Sequence, residues 1–161
     1  MATYEYWVSP SGNNANPGTL VSPFRNLLYA TSTAIVSAIT NADTVIVNCD
    51  PSLFNDASAE DYIRLDSTKW TGGRLIVRST QPGVPWRVGA NGIRLIWAIG
   101  TCDADVVLED CHATTRRIVE WAGLTVSSAT GVRLTIRDGC VFTHSVTTGE
   151  GVFNFDADSQ N

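Results

Sequence analysis

The sequence predicts an all-β protein, a parallel β-solenoid entered through one helix, and three observations lead there. Beyond residue 40 the apolar runs are short, rich in β-branched residues, and bounded by Gly, Pro, Asp or Ser, which is strand-and-turn grammar. Four of these runs, Val45-Ile-Val47, Leu75-Ile-Val77, Val106-Val-Leu108 and Leu134-Thr-Ile136, start 30, 31 and 28 residues apart. A single stretch with helical spacing comes before all of them. Short strands with Asn-Gly and Asp-Gly turns also suit an antiparallel sandwich. The repeat decides between the two: a period of about thirty residues, each unit holding two or three short strands, is one coil of a parallel solenoid.

Residues 1–24 form an N-terminal strand and entry loop. The stretch from Tyr6 to Phe24 holds three prolines, two glycines and three asparagines, all turn formers. Residues 25–40 are predicted to be a capping α-helix, with Leu27, Leu28, Ile35, Ala38 and Ile39 on one face. Ser22 is its N-cap, Pro23 its first residue, and Asn41 ends it. Residues 41–161 are the coils, in one domain spanning 1–161. Their strands are read at 44–48, 62–65, 74–78, 93–99, 105–109, 117–121, 124–126 and 132–137. In a parallel stack each strand pairs with its equivalent one coil away at roughly 4.8 Å, and equivalent inward side chains form ladders. Val-Leu-Glu-Asp-Cys111 and Thr-Ile-Arg-Asp-Gly-Cys140 share one order of residues. Cys111 and Cys140 are therefore expected on neighbouring rungs of one ladder.

The stretch Tyr6-Trp-Val-Ser-Pro-Ser-Gly-Asn, Asn16-Pro-Gly-Thr, Ser22-Pro-Phe24 and Leu27, followed by Ala42-Asp-Thr-Val-Ile-Val47, resembles the entry segment of right-handed parallel β-helix proteins of the pectate-lyase-like superfamily. The likeness covers residues 4 to about 50; the later coils match in period and style. It implies a right-handed coil, here short, with about four turns. That superfamily includes polysaccharide lyases and hydrolases, phage tailspikes and other virion appendages, and surface proteins without known activity. The resemblance thus implies a fold more narrowly than a function.

The composition excludes several classes. A hydrophobic fraction of 43% with 17% charged residues describes an ordered core rather than a disordered chain. A formal charge of −5 argues against a nucleic-acid binder, which needs a concentrated basic surface. No apolar run reaches the roughly 18 residues of a membrane span. Met1–Trp7 has neither a basic nor an apolar signal region, so no conventional secretory signal is expected. The four cysteines, Cys49, Cys102, Cys111 and Cys140, lack close pairing, so no metal site or cofactor is expected. They read as reduced core thiols, with disulfides as the second reading.

The candidate chemistry is thin. Family lyases abstract a proton beside a uronate carboxylate with calcium held by aspartates, and family hydrolases use paired aspartates, so acidic residues on adjacent rungs would be the signal. Asp103, Asp105, Glu109 and Asp110 cluster in one coil, and Asp138 lies one period after Asp110. Asp110 and Asp138 are the best catalytic pair on offer, yet both stand at strand ends, where aspartate satisfies backbone N–H groups. Arg116 and Arg117 beside Glu120 read as solvated charge. His112 and His144 sit at different offsets from their cysteines and are not expected to pair. Asp156–Asn161 lacks the glycine and glutamate of a calcium loop. Among the tryptophans, Trp97 shares parity with Ile93, Leu95 and Ile99 and reads as core. Trp70 and Trp86, set among turns, are the candidate exposed binding platforms.

The function expected is therefore non-enzymatic: a structural or binding β-helix protein of a phage virion, either a tail appendage or a capsid-surface protein, located on the virion or an extracellular surface. A last coil with unpaired strand edges invites cover. The expected partners are sibling chains or another protein over the C-terminal end, and a glycan. The alternatives are a lyase or hydrolase fragment acting on acidic glycans, and a module of a longer bacterial surface or secreted protein.

Overall fold

A computed structural model describes residues 1–54, 62–89, 94–100, 102–115, 117–122, 132–137, 139–144 and 153–156. Strand β1 (Thr3–Val8) opens the chain. Strands then follow in threes: β2 (Thr44–Cys49), β3 (Leu53–Phe54) and β4 (Ile63–Asp66); β5 (Thr71–Ser79), β6 (Trp86–Val88) and β7 (Arg94–Ile99); β8 (Asp103–Leu108), β9 (Cys111–Thr115) and β10 (Arg117–Ala122); β11 (Val132–Ile136), β12 (Val141–His144) and β13 (Phe153–Asp156). Each triplet gives one strand to each of three sheets. The first sheet runs β1-β2-β5-β8-β11, the second β3-β6-β9-β12 and the third β4-β7-β10-β13. Neighbouring strands are parallel throughout.

The four repeated runs fall opposite one another in the first sheet. Val45 pairs with Leu75, Leu75 with Val106 and Val106 with Leu134; Val47, Val77, Leu108 and Ile136 form the second such column. Val45, Leu75, Val106, Val47, Val77 and Leu108 are completely buried. The core continues through Phe54, Val88 and Ala113 of the second sheet and Ile63, Leu65, Ile96 and Ala98 of the third. Burying each such aliphatic side chain contributes about 1.5–3 kcal/mol before chain entropy is counted. Stacking like on like gives every column the same width, which is why a β-branched triplet recurs at this spacing.

The entry loop folds back onto β1. Phe24 N–H donates to Trp7 O and Ser9 N–H to Phe24 O, both at 2.9 Å, so Phe24 continues the first sheet by one bridge beyond its edge strand. The Phe24 ring is buried, with its centroid 5.6 Å from Tyr6 and 4.9 Å from Tyr29. Gly18, at φ +74°, lies against that ring, and a Cβ there would stand 2.2 Å from Phe24 Cε2. Only glycine meets both demands.

The helix expected over 25–40 is corrected by the structure. Helical backbone covers only 27–33, and Tyr29–Thr33 winds as a π-helix, with Ala34 N–H bonded to Tyr29 O at 2.8 Å. The run Thr31-Ser-Thr33 explains the early stop, because hydroxyls compete for backbone partners. Thr31 Oγ1 donates back to Leu27 O at 2.9 Å and accepts Arg64 N–H at 3.0 Å. Ser32 Oγ donates to Asp66 Oδ2 at 3.0 Å. Further on, Ile39 N–H reaches Lys69 O and Thr71 N–H reaches Ile39 O, an extended bridge rather than a helical turn. Ile35 and Ile39 are still buried, so the apolar spacing marked core contact without marking helix. The segment thus lies against β4, the edge strand of the third sheet, at Thr31 and Ser32, and against the turn from β4 into β5 at Ile35 and Ile39.

Candidate functional site

Alternation on a strand sends every second residue outward, and the parallel register stacks these residues into outward columns. On the first sheet one column runs Thr44, Arg74, Asp105, Arg133. Beside it run Ile46, Ile76, Val107 and Thr135. A third column begins Trp7, Asn48, Arg78, with Glu109 and Arg137 following β8 and β11. The charges meet in opposite pairs. Arg133 Nε lies 2.6 Å from Asp105 Oδ1, and Arg74 Nη2 lies 3.9 Å from Asp105 Oδ2. Arg78 Nη2 is 3.4 Å from Glu5 Oε1, Arg78 Nε donates to Asn48 Oδ1 at 2.8 Å, and Arg137 pairs with Glu109. Asn48 Nδ2 completes the set by donating to Glu5 Oε1 at 2.9 Å. The arginine stems shelter the apolar column between them, leaving Val107 buried on an outward face.

Two clefts flank this face. One, of about 510 Å³, is lined by Glu5, Trp7 and Leu20 from the entry segment and by Arg78, Glu109 and Asp110 from the triplets. The other, of about 540 Å³, is lined by Asp43, Arg74, Asp103, Asp105 and Arg133. Asp43 is held below the usual carboxylate range by hydrogen bonds from the Thr40 hydroxyl and the Ala2 and Thr40 N–H groups. The first cleft joins a half-buried tryptophan to planar polar side chains, a composition suited to stacking and hydrogen-bonding a polyhydroxylated or peptide ligand.

Asp110 lines this cleft, but its local bonds are those of a turn former. It adopts φ +49°, its Oδ2 accepts Gly83 N–H at 3.1 Å, and its carbonyl accepts Trp86 N–H at 3.0 Å. Asp138, its proposed partner, lies outside the described residues. Arg116 and residues 157–161 lie outside them too, as does the strand read at 124–126; Arg117 and Glu120 fall in β10 opposite Arg94 and Trp97.

Trp70 and Trp86 are corrected: neither is an exposed platform. Both are completely buried, with Trp70 Nε1 donating to Thr31 O and Trp86 Nε1 to Glu109 O, each at 3.0 Å. They sit where strands start after a turn, and a large ring fills the corner between two sheets. Trp97 is corrected in the opposite sense. Ile96 and Ala98 are the inward residues of β7, while Trp97 is half-buried, with Arg94 4.4 Å and Arg64 5.5 Å from its ring centroid and Tyr62 at its edge. Trp7, by contrast, lines a cleft. The spacing of Trp7, Asn48, Arg78 and Glu109, each one residue beyond an apolar triplet position, is the signal that marks them as a column.

Cys111 pairs with Trp86, and Cys140 directly precedes Val141, the partner of His112, so the two thiols occupy neighbouring positions. His112 is paired with Val141 and His144 with Thr115, so the histidines are three positions out of register. All four cysteines are free. Burial pushes the Cys49 and Cys111 thiols well above their ordinary range and Cys102 up to about 11, so these stay protonated at neutral pH. Among the described residues, no three His, Cys, Asp or Glu side chains group as a metal site. Scanned against protein-family models, and searched against curated proteins and solved structures, the chain shows no match.

Proposed function

We propose that this chain is a short right-handed parallel β-helix acting as a non-enzymatic structural and binding protein, a bacteriophage virion component of the tail-appendage or capsid-surface kind. The rotation of strand triplets through three parallel sheets supports the coil, and the entry-segment resemblance supplies its hand and its kinship. One observation carries the association reading. Inward residues of the last triplet are less covered than their partners one layer below: Ile136 is 47% exposed, whereas Leu108 opposite it is 0% exposed. Leu134, Cys140 and Phe142 are likewise only partly buried, above the buried Val106, Cys111 and Ala113. Apolar ladder ends of this kind gain from being covered, and the cover we propose is a sibling chain or another virion protein.

Light scattering on the purified protein tests this: the expected result is a particle heavier than one chain, or a heavier one once partner virion proteins are added. A monodisperse monomer that binds neither particles nor siblings overturns it. The cleft at Trp7 is the surface proposed for a glycan. Trp7→Ala is expected to abolish retention on a glycan array with folding unchanged. The second reading, a lyase or hydrolase acting on acidic glycans, rests on the carboxylates Glu109 and Asp110 beside Arg78 in that cleft. A screen for unsaturated-uronide absorbance and new reducing ends, with and without calcium, decides it.

A further inference from the structure

We infer that Cys111 and Cys140 form an oxidation site, a thiol pair set to close into a disulfide that ties the last strand triplet to the one beneath it. The register places them side by side at the entrance to β9 and β12. Adjacent parallel strands hold paired Cα atoms roughly 4.8 Å apart, inside the window of about 4.4–6.8 Å that a disulfide spans. The Cys111 N–H points at the Cys140 sulfur, and the Cys140 thiol donates to Leu108 O at 3.4 Å, so both side chains turn to the same interior column. Exposure differs between the two in a useful way. Cys111 is completely buried, whereas Cys140 is only partly covered, because it belongs to the less sheltered end. An oxidant therefore reaches Cys140 first and finds Cys111 behind it.

With a glutathione disulfide as oxidant the chemistry closes. The Cys140 thiolate attacks one glutathione sulfur, forming a mixed disulfide and releasing one glutathione thiol. Cys111 gives up its proton, attacks the Cys140 sulfur and expels the second glutathione. Two protein thiols are oxidised, and one glutathione disulfide is reduced to two thiols. The high affinity of both cysteines for their protons makes the reaction slow at neutral pH and faster in mild alkali.

The test is incubation of the intact chain with oxidised glutathione at mildly alkaline pH, followed by intact mass and thiol titration in denaturant. The expected result is the loss of two hydrogens and a fall from four titratable thiols to two. Digestion at acidic residues, which separates Cys102 from Cys111, should give a Cys111–Cys140 cross-link that a reductant removes. Cys140→Ser should abolish the product, Cys49→Ser should leave it, and Cys111→Ser should stop at glutathione on Cys140. A cross-link between other cysteines, a stable glutathione adduct on the unmutated chain, or four thiols remaining after oxidation overturns the inference.

Discussion

The two ends of the sheet stack are finished by different means. At the first end the chain covers its own edge. Phe24 extends the first sheet past β1, and residues 27–39 lie against β4 through Thr31 and Ser32 and against the turn into β5 through Ile39. None of this cover is a long regular element; it is made by prolines, asparagines and hydroxyls whose bonds go to backbone and to other side chains. At the last end, among the described residues, β11, β12 and β13 stand outermost in their sheets, and Ile136 keeps nearly half its surface in water. The lesson is that a parallel stack closes through irregular chain, whose polar groups can be tied down one at a time, and that strands alone only pass the edge along.

The largest test of that contrast is Phe24→Ala. Losing a buried ring usually costs about 3–5 kcal/mol, and here it should also uncover β1, so denaturant melts should fall while self-association rises. Unchanged association would show that β1 was covered by other means. Gly139→Ala strikes the opposite end. Gly139 sits at φ +81°, and a Cβ would stand 2.3 Å from Asp110 Oδ1, so a loss of about 1–3 kcal/mol is expected. Hydrogen exchange should speed up in β11 and β12 and stay unchanged in β1 and β2.

Acid should loosen the covered end first. Burial alone would raise the Asp66 carboxyl, but hydrogen bonds from Thr68 and Ser32 and the Arg64 guanidinium outweigh it and leave the group below its ordinary range. A depressed carboxylate contributes stability above its unfolded pKa of about 3.9 and loses it as pH falls through the lower folded value. Below about pH 4, amides in 27–39 should exchange faster, and Asp66→Asn should remove that pH dependence. The smallest effect is on Ile136→Lys. An exposed site should shift monomer stability by less than about 0.5 kcal/mol, while any assembly through the last triplet should dissociate in light scattering.

What could be read in the sequence follows the physics of repetition. Val45, Leu75, Val106 and Leu134 were legible because identical spacing and identical chemistry report one environment four times. Cys111 and Cys140 were legible for the same reason. Trp70 and Trp86 were misread because turn residues around a ring suggest exposure, whereas a corner between sheets needs a large side chain exactly once, with no repeat to reveal it. Trp97 depends on Arg64, which lies on another strand, and no parity rule on one segment can see that partner. The helix over 25–40 failed where the Thr31 and Ser32 hydroxyls found partners on β4, the Arg64 N–H and the Asp66 carboxylate.

The outward charges carry one more consequence. Inside the stack, Val45, Leu75, Val106 and Leu134 are nearly interchangeable, so the core hardly distinguishes a strand from the next but one. The outer columns do distinguish them. Were β11 to dock on β5, skipping β8, Arg133 would meet Arg74 and Arg137 would meet Arg78, like charge on like. The alternation of Arg74, Asp105 and Arg133 thus orders β5, β8 and β11 among strands whose inward faces look alike, because leaving out β8 sets like charge against like.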